Sequence, residues 1–116
     1  MMKMETKFNF KSQICTDKVQ SERLLALGLK KETADMCHFW HWELYDYSLL
    51  CASWKFAHRS NKDIPAWSLG RLLEILQPMM ENQNEITIPF DNIFNQIIDC
   101  IEWLIKEGYF PKEYLV

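Results

Sequence analysis

The chain has 116 residues, of which 48% are hydrophobic and 14% aromatic, and its formal net charge is −3 at pH 7. This length suits a single domain over residues 1–116, and the composition is that of a globular chain rather than a disordered one. The acidic balance argues against a protein built mainly to bind nucleic acid, because such proteins usually present a basic face. No stretch reaches the roughly 20 apolar residues of a membrane span, and the start lacks the apolar core of a signal peptide. We therefore expect a cytoplasmic protein without a membrane partner.

The first third of the chain predicts one helix between two short connecting pieces. Residues 7–13 alternate apolar and polar side chains, as an edge strand or a segment docked on the core would. A helix then follows Thr16, which we predict as its N-cap, and ends at Gly28, which suits the left-handed residue after a helix. Residues 30–36 predict a turn or a single helical turn.

Residues 36–58 form an aromatic-rich stretch that fits two structures. Read as strands, its even-numbered positions are the more apolar, which favours an antiparallel hairpin over residues 37–57 that turns at residues 45–48. No glycine or proline interrupts residues 29–64, so one long helix is the alternative. The hairpin predicts the α+β class, with two to three helices packed on a small antiparallel sheet, whereas the helix predicts an all-α fold.

The segment 63–78 carries start and stop signals for a helix. Ser68 is the predicted N-cap, and Trp67 and Leu72 occupy the two positions of a hydrophobic staple. Pro78 lacks the amide hydrogen that a helix needs, so we predict that this helix ends near Gln77. Ser68, Trp67, Leu72 and Pro78 are thus explained by how this helix begins and ends, without a functional site.

The end of the chain predicts the best-defined helix. Residues 84–90 alternate like a short strand, and Asp91 is placed to cap the helix that follows. Apolar residues then recur at helical spacing, while Trp103 lies off the centre of that stripe. Gly108 ends the helix, and we expect residues 110–116 to dock back on the core.

Four segments together carry a resemblance to a known family: residues 13–36, 63–76, 95–109 and 110–115. Their order, with the patterns TADM, PAWSL and IEWLIKEGY, resembles a family of small uncharacterised proteins found in gut anaerobes and their prophages. The resemblance implies a cytoplasmic location and a link to mobile elements. It implies no activity and no catalytic residue.

Cysteine and histidine residues are the candidates for metal binding or nucleophilic catalysis. In the segment CHFWH, Cys37 and His41 share one face, but further ligands such as Cys51 or His58 would have to come from elsewhere. Structural zinc sites normally use paired ligands, so we expect no metal and no cofactor. No glycine-rich oxyanion elbow accompanies any cysteine, so we predict no catalytic residue. The four cysteines are expected to be free thiols in a reducing compartment.

The five tryptophans are the remaining signal. We take four of them as candidates for a binding surface: Trp40, Trp54, Trp67 and Trp103. Large aromatic side chains supply both core and interface area. With no catalytic constellation beside them, they predict a non-enzymatic protein-interaction module, an accessory protein of a phage or mobile element. Its predicted partner is a second copy of itself or a host or phage protein, and burial of all five tryptophans in one monomer would contradict this interpretation.

Two other functions stay open. A nucleic-acid-binding accessory protein would use basic residues beside an aromatic side chain, here Lys55, His58, Arg59 and Lys62. The second alternative is a small metal- or thiol-dependent enzyme. Salt-dependent binding would support the first, and one unusually reactive cysteine would support the other.

Overall fold

The computed structural model describes residues 13–57, 59–80 and 93–116. Within these residues four α-helices accompany one three-stranded antiparallel sheet, so the predicted α+β class is confirmed. The helices are α1 (Lys18–Ala26), α2 (Trp54–Ala57), α3 (Leu69–Met80) and α4 (Ile93–Lys106); the strands are β1 (Met36–His41), β2 (Asp46–Leu50) and β3 (Ile64–Ala66). Single 3-10 turns lie at Lys31–Thr33 and Lys112–Tyr114, the first inside the predicted turn at 30–36. The predictions for residues 7–13, residues 84–90 and Asp91 lie outside the described residues.

The sheet has the strand order β2-β1-β3, and the β1–β2 hairpin replaces the alternative of one long helix. Its loop is 42–45, three residues earlier than predicted, because Asp46 pairs with His41 inside the ladder. The register sets Trp40 opposite Tyr47. Even positions of β1 therefore share a face with odd positions of β2, and the predicted grouping of even positions along both strands is wrong. The second strand ends at Leu50. The predicted hairpin extended to residue 57, so its predicted end is seven residues too late.

Helix α1 is capped one residue later than predicted. Asp17 is the N-cap: its carboxylate accepts from the Gln20 amide, and the Gln20 side chain accepts from the Asp17 amide. Thr16 is fully buried and its hydroxyl accepts from the Trp67 amide at 3.0 Å, so it is committed to a distant contact. The helix stops as predicted, with Gly28 in the left-handed region at φ 100°.

Helix α3 starts as predicted but runs further. The Ser68 hydroxyl accepts from the Arg71 amide at 3.1 Å, which confirms the cap, and the Asp35 carboxylate holds Ser68 through both its amide and its hydroxyl. The helix continues through Pro78 to Met80, so the predicted end near Gln77 is wrong. Met79 is buried in the core, and this packing holds the last turn although proline removes one hydrogen bond.

The main core lies between α1, α3 and α4. It contains seven fully buried aliphatic side chains from these helices: Leu24, Leu72, Leu76, Ile97, Ile98, Ile101 and Leu104. The C-terminal segment closes it, with Phe110 buried and Leu115 paired with Leu29 in a β-bridge, as the sequence predicts. Gly108 ends α4 in the left-handed region, also as predicted.

Two smaller clusters attach the sheet to this core. Cys15, Met36 and Ala66 form one, and Cys37 with Trp54 forms the other. Burial then decreases along β1, from its first two residues to the partly exposed remainder. The hairpin is therefore anchored by apolar burial at the start of β1, and its loop lies at the less buried end.

Candidate interaction surface

The hairpin carries a group of four aromatic side chains centred on Trp40. Its ring lies in edge-to-face contact with Tyr47 at 4.9 Å, with Trp42 at 5.9 Å and with Tyr45 at 6.2 Å between centroids. Cross-strand pairing brings Tyr47 to Trp40, and the loop returns Tyr45 to it. These distances are those of favourable aromatic pairs. We call Trp40, Trp42, Tyr45 and Tyr47 the hairpin aromatic cluster.

Two lysines from other elements reach this cluster. The Lys62 ammonium lies 4.7 Å from the Trp40 ring centroid and 5.0 Å from that of Trp42. The Lys18 ammonium, at the start of α1, lies 4.4 Å from the Tyr47 centroid. All three distances are within the range of cation–π attraction.

Asp63 fixes the position of Lys62 against β1. Its buried carboxylate accepts from the backbone amides of Trp40 at 2.8 Å, Arg59 at 2.6 Å and Ser60 at 3.1 Å. The Tyr47 hydroxyl also donates to the Lys62 carbonyl at 3.0 Å. The loop before β3 is therefore tied to the hairpin by hydrogen bonds that do not involve the Lys62 ammonium.

The hairpin loop exposes large apolar side chains. Trp42 is 56% exposed, Leu44 71% and Tyr45 77%. Leu49 extends this surface along the face of β2 that carries Tyr47, whereas Leu50 lies on the opposite face. Among the described residues, β2 lies at an edge of the sheet. Contiguous exposed apolar surface of this kind is typical of a contact site.

The predicted tryptophans separate into core and surface groups. Trp67 is fully buried, with its indole donating to the Thr33 hydroxyl at 2.9 Å, and Trp54 is buried against Cys37. Trp40 is partly buried at the centre of the hairpin aromatic cluster. Trp103 is 48% exposed on α4 and lies 5.9 Å from the Tyr109 ring. The burial of all five that would have contradicted an interaction module is thus not observed.

The candidate residues taken from the sequence omit four members of this surface. Trp42 was not among the four candidate tryptophans, Tyr45 and Tyr47 were assigned to the turn, and Lys18 was not singled out. Asp46, between the tyrosines, resembles a turn residue, but its carboxylate accepts from the Tyr47 amide inside β2. The only available signal was the alternation of tyrosines across residues 45–47, which suits a strand as well as a turn.

Three of the four cysteines are buried or partly buried, and Cys51 is exposed. Cys15 and Cys37 are buried free thiols. Burial, together with the negative charges of Asp35 near Cys15 and Asp63 near Cys37, raises the pKa of each thiol to about 11. Burial also raises the pKa of Cys100. These three thiols therefore stay protonated and weakly nucleophilic near neutral pH.

No group of three or more histidine, cysteine, aspartate or glutamate side chains in residues 13–57, 59–80 and 93–116 is placed to hold a metal ion. His38 instead donates from Nε2 to the Thr16 carbonyl at 2.8 Å, which ties β1 to the segment before α1. His58 lies outside the described residues.

Comparison with protein-family models, with curated proteins and with solved structures finds no match for this chain. Among the residues that the structure describes, no helix is long and apolar enough to cross a membrane. Function must therefore be inferred from the surface itself.

Proposed function

We propose that this chain is a non-enzymatic protein-interaction module whose docking surface is the β1–β2 hairpin. The observation that supports this most is the placement of Trp42, Leu44 and Tyr45, which are all more than half exposed at the hairpin loop. Aromatic side chains are enriched at the centres of protein interfaces, where they bury large areas at low entropic cost. The helices supply stability, and the hairpin supplies contact area.

The backbone at Tyr45 supports a role other than folding for its side chain. Tyr45 has φ 50°, in the left-handed region that favours glycine or asparagine. A bulky residue held there costs on the order of 1 kcal/mol. Its ring is mostly solvent-exposed, so burial adds little, and the edge-to-face pair with Trp40 at 6.2 Å is the described contact that offsets part of the cost. A contact with a partner would account for a tyrosine at this position.

The edge position of β2 offers a second kind of contact. Exposed edges are usually protected by proline, lysine or a cover, and β3 at the other edge contains Pro65. Strand β2, with the sequence DYSLL, contains neither proline nor lysine. A partner strand can extend such an edge by backbone hydrogen bonds, while Leu49 and Leu50 contribute apolar contact.

The partner that we propose is a host or phage protein in the cytoplasm. The resemblance to proteins of prophages supports this type of partner, and four free cysteines suit a reducing compartment. A second copy of the chain is the competing partner, since an exposed antiparallel edge can pair with itself. Subunit count separates the two.

Affinity capture from an extract of the source cell tests the docking surface. The hairpin variant Trp42→Ala/Tyr45→Ala removes two exposed rings, and we expect it to reduce recovery of the partner at least tenfold. The matched control is Trp103→Ala/Tyr109→Ala, which removes the other exposed ring pair, and we expect it to retain the partner. Loss of the partner from the control alone would move the docking surface to α4, and retention in both variants would contradict the proposal.

Nucleic-acid binding is the second candidate, and the observation in its favour is Lys18 and Lys62 beside aromatic rings. Single-stranded nucleic acids bind such combinations by base stacking and phosphate contacts. Against it, the exposed residues Glu43 and Asp46 lie at the same hairpin loop, and the chain is acidic overall. Titration with a labelled thymidine oligonucleotide at two salt concentrations tests it, because true phosphate contacts weaken as salt rises.

A further inference from the structure

The Lys62 ammonium occupies a position between two indole rings. The rings of Trp40 and Trp42 are perpendicular, at an interplanar angle of 90°, and the ammonium lies 4.7 Å and 5.0 Å from their centroids. Rings arranged in this way direct the negative face of their quadrupoles toward one cation. In the free chain, this pair of rings thus already binds a cation.

Apart from these ring contacts, the side chain of Lys62 makes no ion pair among the described residues, and its backbone is held by the Tyr47 hydroxyl instead. The ammonium can therefore leave the rings without breaking the hydrogen bonds that position the loop. Its side chain is exposed, so departure returns it directly to water.

The surroundings of the two rings favour an incoming cation. Glu43 follows Trp42 in the exposed hairpin loop and adds a negative charge there, whereas Asp46 lies on the face of β2 opposite to that of Tyr47. A peptide segment that brings a cation would satisfy this charge preference.

We propose that Trp40 and Trp42 form a cation-recognition site, occupied by Lys62 in the free chain, that takes an arginine side chain of a partner segment on binding. A guanidinium is planar and less strongly hydrated than an ammonium, so it stacks on an indole at a lower desolvation cost than the lysine it replaces. The inference rests on the proposed function, because it names the chemistry of the partner at the same hairpin. Lys62 is a competitor in this scheme, and its removal exposes the site.

Titration of the isotope-labelled protein with the blocked peptide acetyl-Gly-Arg-Gly-amide tests the site, read from the indole N–H signals of Trp40 and Trp42. The control peptide carries citrulline, which has the shape of arginine without its charge. We expect Lys62→Met to bind the arginine peptide about two- to five-fold more tightly than the natural chain, since one surface cation–π competitor is lost. The matched variant Lys106→Met, on α4, should leave the affinity unchanged, and Trp42→Leu should abolish the shifts.

Equal binding of both peptides, or no gain in the Lys62→Met chain, would overturn the site. Binding of an oligonucleotide in place of the peptide at these indoles would also overturn it. Should the hairpin variant lose its captured partner while the peptide titration fails, the docking surface stands and the cation site is wrong. Should the peptide bind as expected while neither ring pair affects capture, the cation site stands and the proposed function is wrong.

Discussion

The helical core and the hairpin use their large side chains in opposite ways. In the core, α1, α3 and α4 enclose aliphatic residues that are fully buried, and the fully buried Trp67 has its indole satisfied by Thr33. In the hairpin, Trp42 and Tyr45 remain mostly in contact with water, and the indole of Trp40 has no hydrogen-bond acceptor among the described residues. The large side chains of the core are thus buried against other described residues, whereas those of the hairpin keep surface that a partner could contact.

This difference separates stability from recognition. Apolar burial stabilises a fold in proportion to the area removed from water, so the core accounts for most of the free energy of folding. The hairpin adds little burial of its own beyond its anchored end. Substitutions in the two regions should therefore affect different measurements.

The largest effect is expected from the core. Ile101→Ala removes three carbon atoms from a fully buried position and should lower the free energy of unfolding by about 2–5 kcal/mol. Trp42→Ala, at an exposed position, should change it by less than about 1 kcal/mol. Urea denaturation followed by circular dichroism measures both. A larger loss from Trp42→Ala than from Ile101→Ala would contradict the division of roles.

Alkaline pH should weaken the junction between the two regions, where Cys15 and Cys37 are buried. Their pKa values are raised to about 11 in the folded chain from an ordinary value near 9, so the unfolded chain releases these protons first as pH rises. The stabilisation is complete below about pH 8.5 and is lost as pH approaches 11. Each thiol accounts for at most about 2.7 kcal/mol, so we expect the free energy of unfolding to fall by up to about 5 kcal/mol over this window. Denaturation at several pH values measures the free energy of unfolding. In the Cys15→Ala/Cys37→Ala chain this free energy should fall less steeply with pH. An equally steep fall would mean that other groups cause it.

An intermediate effect is expected at Asp63, which connects the loop before β3 to β1. Asp63→Asn keeps the shape but turns one acceptor oxygen into a donor, which faces either the Trp40 amide or the amides of Arg59 and Ser60. The cost should be about 1–3 kcal/mol, because a buried amide loses its acceptor. Hydrogen exchange at the Trp40 amide should accelerate more than exchange in α4. Uniform acceleration across both regions would mean that the hairpin does not loosen separately.

The smallest effect on stability is expected at Tyr45, where recognition should respond instead. Tyr45→Gly relieves the left-handed backbone but increases the freedom of the unfolded chain, so the free energy of unfolding should stay within about 1 kcal/mol of the natural value. Partner capture should nevertheless fall severalfold. Capture at the natural level would show that the Tyr45 ring is not part of the docking surface.

Local signals in the sequence predicted the parts of the fold that depend on local chemistry. Gly28 and Gly108 adopt the left-handed conformation, and Ser68 caps α3, because each role is decided within one helical turn. Two predictions failed where a distant contact decides: Thr16 is held by Trp67, and the helix passes Pro78 because Met79 is packed in the core.

The candidate surface was predictable only in part. Trp40 stood out by residue type, but the cation beside it comes from Lys62, which is 22 positions away and is placed by Asp63. Lys18 reaches Tyr47 across an even longer separation. Such pairings depend on strand register and on loop position, and the sequence carries no local signal for either.

A native mass spectrum of the gently purified chain, recorded beside its Trp42→Ala/Tyr45→Ala variant, tests most directly whether the hairpin is a protein-docking surface. The result we predict is a complex of the natural chain with another protein, absent from the hairpin variant and retained by Trp103→Ala/Tyr109→Ala. A dimer would identify the partner as a second copy of the chain. A bare monomer, a monomer carrying zinc or a small molecule, or a complex that survives in the hairpin variant would contradict it.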